Sequence, residues 1–72
     1  MHIHFTNHAQ VGMMERGIST SRVTETLKRP DSQFPAREGA IAYEKAFGAK
    51  TLRVIFWRRG KAEYVIITAY YL

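Results

Sequence analysis

Four side chains in this sequence are of the types needed to break a phosphodiester without a metal: His8, Arg16, Arg53 and Tyr70. Such cleavage needs a base to take the proton of a 2′-hydroxyl, cations to neutralise charge building on the phosphate oxygens, and an acid for the departing oxygen. Imidazole is the side chain that titrates nearest neutrality and can serve as the base. Guanidinium groups grip phosphate through paired N–H donors, and a tyrosine can polarise a phosphate or stack its ring on a base. Each residue also has a plainer role open to it. His8 can tie down a strand-to-helix turn, Arg16 can complement a helix dipole, Arg53 can face solvent and Tyr70 can be packing.

A basic, aromatic-flanked tip accompanies them. Trp57, Arg58, Arg59 and Lys61 crowd the gap between two strand-like runs, where they can contact phosphates or form a solvated turn. Thr68 lies two residues before Tyr70 and shares its strand face. Eleven Lys and Arg against six Asp and Glu give a formal net charge of +5 and a pI near 10.0. That excess attracts polyanions, whether nucleic acid, an anionic membrane surface or an acidic protein, and charge alone does not choose among them. His2 and His4 alternate on one strand face and add to His8, but no carboxylate is spaced to join them, so no metal or other cofactor is expected. There is no cysteine, which removes disulfides, thiolate zinc sites and a cysteine nucleophile, and fits a reducing compartment. No apolar run approaches the roughly 20 residues of a membrane helix, and MHIHFTNH lacks the pattern of a signal peptide, so a cytoplasmic protein without membrane partners is expected.

The elements that must position these groups can be read from hydrophobic period. Seventy-two residues suffice for one small domain, spanning 1–72. HIHF (2–5) alternates as a short strand that suits a sheet edge. Asn7 reads as an N-cap, with Gln10 completing a capping box. The helix after it places Val11, Met14 and Ile18 on a core stripe, with Met13 beside them, and ends at Gly17 as a left-handed cap. STSRVTETLKRP follows as a second helix with Val23 and Leu27 inward, closed by Lys28, Arg29 and Pro30. PDSQFPAREG (30–39) reads as a loop that Phe34 pins to the core. Three period-two runs, 40–47, 51–58 and 63–72, then predict an antiparallel meander. In the middle run Leu52, Val54 and Phe56 alternate with Arg53, Ile55 and Trp57. In the last, Val65, Ile67, Ala69 and Tyr71 alternate with Tyr64, Ile66, Thr68 and Tyr70. Helices first and a meander after predict an α+β fold of two layers, with one sheet face left partly open.

His8-Ala9, Met13, Glu15 to Ser19, Val23, Leu27 and Pro30, then Leu52-Arg53-Val54 and Val65 to Tyr70, resemble the small bacterial domains related to the RelE and ParE toxins. The resemblance spans nearly the whole chain through short, mostly structural motifs. It implies a RelE/ParE-like fold with a short N-terminal strand and a helical hairpin packed on an antiparallel sheet of three to four strands. It also implies a toxin of a toxin–antitoxin system: a metal-independent endoribonuclease acting on free or ribosome-bound RNA, silenced by an antitoxin protein. The alternative is a non-catalytic module of the same fold that binds nucleic acid or protein, such as a gyrase-directed or degenerate relative. The expected assembly is a homodimer or a toxin–antitoxin hetero-oligomer. One position departs from the family pattern: related domains usually carry arginine four residues after the histidine, where this chain has Gly12. A mid-helix glycine costs about 1 kcal/mol relative to alanine, so Gly12 reads either as drift or as an inactivating change.

Overall fold

Thr6, extended at φ −64° and ψ 161°, opens the first helix by accepting a hydrogen bond from the Ala9 N–H at 3.0 Å. Its hydroxyl also donates to the Ile66 carbonyl at 3.0 Å, so one side chain both caps the helix and ties it to the last strand. Asn7, expected as the cap, is instead the first helical residue, and Gln10 reaches the Phe5 carbonyl at 2.9 Å rather than closing a capping box. At the other end Gly17 adopts the left-handed conformation (φ 66°, ψ 36°), as the sequence predicts, and its N–H meets the carbonyls of Met13 and Met14.

In the computed structural model, which describes residues 1–72, the elements follow in this order. They are β1 (His2–Phe5), α1 (Asn7–Arg16), α2 (Thr20–Lys28), β2 (Ser32–Pro35), a single turn at Arg37–Gly39, β3 (Ile41–Phe47), β4 (Lys50–Arg59) and β5 (Glu63–Tyr71). The strands form one five-stranded sheet in the order β1-β5-β4-β3-β2. The expected meander is present as β3-β4-β5, and the expected edge strand β1 pairs in parallel with β5, so the sheet is mixed rather than antiparallel. The fifth strand comes from within the expected loop: Ser32–Pro35 pairs with β3 although all four of its residues are exposed. An edge strand with no buried face leaves no alternation to read, and its terminal proline is tolerated because an edge need not donate outward.

α1 packs on β5 and β1, and α2 on β4 and β3, which makes the second layer. Between the layers, Phe56, Leu52, Ile66, Val54 and Val23 are fully buried, each contributing roughly 1.5–3 kcal/mol. Tyr43 meets the Phe56 ring edge-on at 4.8 Å, and Tyr64 lies 5.4 Å from it. Thr26, a polar side chain in this core, is satisfied by donating to the Arg22 carbonyl at 2.8 Å.

The α1 stripe differs from the expected one. Ala9, Gly12 and Met13 face the sheet and Ile18 is buried after the turn, whereas Val11 and Met14 are 56% and 83% exposed. Anchoring the helix at Thr6 sets its rotation, so that Ala9 and Gly12 meet the strands beside Met13 while Val11 and Met14 turn outward. The alternation of β5 also slips. Ile55 pairs with Thr68 and Phe56 with Ile66, leaving Ile67 as an extra residue in a bulge. Tyr64 and Ile66 therefore join Ala69 and Tyr71 on the helical side, while Thr68 and Tyr70 share the other face as expected. Phe34, expected to pin the loop to the core, lies opposite Ala42 on that outer face and is 38% exposed.

Candidate nucleic-acid interface

The face of the sheet away from the helices carries a polar row across its three central strands. Cross-strand pairing sets Glu44 opposite Arg53 and Arg53 opposite Tyr70. The Arg53 Nε donates to Glu44 Oε2 at 2.6 Å, Nη2 engages the same oxygen, and Nη1 donates to the Tyr70 hydroxyl at 3.3 Å. The Arg53 Cζ also lies 5.2 Å from the Phe34 ring and 5.8 Å from that of Tyr70. These contacts raise the pKa of Arg53 above the usual arginine value, first through the hydrogen bond with Tyr70 and then through Glu44. A guanidinium anchored on one side and half-buried keeps N–H donors free for an anion arriving from the groove.

That groove has a volume of about 540 Å³ and runs from Arg53 and Tyr70 over Ile55, Ile67 and Trp57. Phe34 and the segment after β2 form its wall. Within this wall Glu38 holds a left-handed backbone (φ 55°), and its carbonyl accepts from the Trp57 indole N–H at 3.4 Å. Trp57 stays 41% exposed, so an aromatic ring, an apolar floor and a fixed cation line one open concavity. Single-stranded nucleic acid uses such a set, with bases on rings and phosphates on cations.

The other expected residues fall in different places. Trp57 belongs to the groove, and Arg59 shares its face by alternation. Arg58 turns to the helical side, where its Cζ stands 5.0 Å from the Tyr64 ring and Nη2 donates to the Lys61 carbonyl at 3.0 Å. Lys61 is exposed in the turn. Thr68 sits opposite Ile55, beside the groove. His8 and Arg16 lie on α1, in the helical layer, so the four residues first singled out do not form one cluster. His8 is exposed on the first turn of α1. Arg16 folds back along the helix over Gly12 and donates to the Ala69 carbonyl at 3.4 Å. A Cβ placed on Gly12 would overlap the Arg16 Nη1, with Cζ 3.5 Å away, and would meet nothing else. The glycine is thus the space that lets Arg16 reach β5, next to Tyr70 in sequence.

Sequence reasoning missed Glu44 and Phe34. Glu44 meets Arg53 because the turn between Phe47 and Lys50 has two residues, where the sequence bounds of 47 and 51 imply three and a different register. Phe34 carries no local signal, because its strand is exposed along its whole length and has no alternation. Among the Lys and Arg side chains only Arg53 and Lys45 have a carboxylate within ion-pair reach, so most of the positive charge is uncompensated. No three His or carboxylate side chains converge on one point, and no helix is long and apolar enough to cross a membrane.

A family model described as a domain of unknown function (DUF4258) matches residues 5–71. Neither the curated proteins nor the solved structures contain a match to the chain.

Proposed function

Because the chain belongs to the DUF4258 family, whose description assigns no activity, its function must be read from its own side chains, and we propose that it is an RNA-cleaving domain of RelE/ParE-like type. The observation that carries this reading is the row Glu44–Arg53–Tyr70 at the end of the aromatic groove. A strand of RNA laid in the groove stacks a base on Trp57 and brings a phosphate to Arg53. The Glu44 carboxylate then takes the proton of the 2′-hydroxyl, whose oxygen attacks the adjacent phosphorus. Arg53 neutralises the non-bridging oxygens as charge builds on them. Tyr70 gives its proton to the departing 5′-oxygen, leaving a 2′,3′-cyclic phosphate on one fragment and a free 5′-hydroxyl on the other.

Arg16 and His8 are assigned to the approach of the strand from the helical side, and Arg59 and Lys61 to phosphates further along it. In this reading the protein acts as a toxin held silent by an antitoxin, and the uncompensated cations are the surface that an acidic partner covers. The direct test is expression of the chain alone, together with incubation of the purified protein with RNA in the presence of a chelator. Growth arrest and RNA cleavage, both lost in Glu44→Gln, support the proposal. Intact RNA with both the natural chain and Gly12→Arg rejects it. If RNA is then bound but left whole, with affinity falling steeply as salt rises, the domain is a binding module; the groove and the free cations favour that second reading over a purely structural role.

A further inference from the structure

A second cation–hydroxyl cluster lies on the opposite side of the sheet from the groove. Arg22, in the first turn of α2, donates from Nη1 to the Tyr71 hydroxyl at 2.7 Å. Its Cζ is 4.8 Å from the Phe47 ring centroid and 6.0 Å from that of Tyr71. Lys50, at the start of β4, brings its Nζ to 5.1 Å from the same Tyr71 ring. Two positive charges therefore converge on one tyrosine, and neither has a carboxylate within ion-pair reach. Aromatic faces attract each cation by cation–π contact but leave its N–H donors unsatisfied by any anion. Because the Tyr71 oxygen accepts from Arg22, its own proton is free to be donated outward. A guanidinium, an ammonium and a phenol hydroxyl thus lie about one half-buried tyrosine, and no carboxylate neutralises the two charges.

Tyr70 and Tyr71 are consecutive in β5 and so project to opposite faces. Arg53–Tyr70 on one face and Arg22–Tyr71 on the other form two cation–hydroxyl pairs around the same end of the strand. We propose that Arg22, Lys50 and Tyr71 form a second phosphate-binding point, which holds a backbone phosphate of the RNA strand as it leaves the groove and wraps the end of β5. This rests on the reading of the groove as an RNA site.

Binding of a labelled oligouridylate by fluorescence anisotropy, across a salt series, tests it in the full chain. Arg22→Gln with Lys50→Gln is expected to weaken binding and to lower the slope of log affinity against log salt by about 0.7, the value of one lost single-strand phosphate contact. Arg22→Lys, which keeps the charge but not the planar guanidinium over Phe47, is expected to retain most of the slope, and circular dichroism confirms that each variant is folded. If Arg53→Gln and Trp57→Ala weaken binding while the Arg22/Lys50 pair leaves affinity and slope unchanged, the second point is overturned and the groove stands. If only the Arg22/Lys50 pair matters, the groove reading fails and the second point stands alone. Should the chain bind no oligouridylate, a titration with inorganic pyrophosphate decides the matter. Saturable NMR shifts of the Tyr71 ring and the Arg22 Nε–H, absent with chloride at equal ionic strength, uphold the site, and their absence overturns it.

Discussion

Replacing Gly12 with alanine tests the most specific link between sequence and structure in this chain. In an ordinary helix interior this change stabilises by about 1 kcal/mol, worth roughly 4–8 °C in Tm for a domain of this size. Here the new Cβ overlaps the Arg16 Nη1 and nothing else, so the guanidinium must swing away from the Ala69 carbonyl. That bond is long, at 3.4 Å, and its loss costs about 0.5–1 kcal/mol. The two effects nearly cancel, and Gly12→Ala alone is expected to move stability by less than about 0.5 kcal/mol. In an Arg16→Ala background the bond is already gone, and the same substitution should yield the full gain of about 1 kcal/mol. A double-mutant cycle by urea denaturation reads the difference as a coupling of about 0.5–1 kcal/mol. Equal gains in the two backgrounds would refute the reasoning, because Gly12 would then not be the space that Arg16 uses.

Three further outcomes follow from the packing. Thr6→Ala removes both the cap on Ala9 and the tie to Ile66 and should cost about 1–2 kcal/mol by thermal or urea unfolding, whereas Asn7→Ala should cost little. Met13→Ala should cost about 2–5 kcal/mol, while Met14→Ala, on the exposed side of α1, should stay within about 0.5 kcal/mol. Trp57→Ala should weaken oligonucleotide binding by about 1–3 kcal/mol, the value of one base stacked on an aromatic ring, with a folded circular-dichroism spectrum retained.

Local signals carried much of this structure. The end of α1 at Gly17, the inward pair Val23 and Leu27, and the buried alternation of Leu52, Val54 and Phe56 all depend on neighbours within a few residues, and all are found. What escaped depends on contacts distant in sequence. Thr6 displaces Asn7 as cap because Ile66, sixty residues on, rewards its hydroxyl. The parallel pairing of β1 with β5 has no hairpin to announce it, and β2 is recognisable only once β3 lies beside it. The bulge at Ile67 shifts half of β5 by one residue and changes which side chains reach the core. In the candidate site, Arg53 and Tyr70 were legible as an exposed cation and an aromatic on a strand, but their partner Glu44 required a register, and Phe34 a strand.

End-group analysis of RNA incubated with the purified chain and a chelator bears most directly on the proposed function. Fragments ending in a 2′,3′-cyclic phosphate, lost when the 2′-hydroxyl at the cut is replaced by hydrogen and reduced about a hundredfold or more by Glu44→Gln or Arg53→Gln, are the predicted result. RNA that remains whole, or cleavage that persists undiminished in both variants, would contradict it.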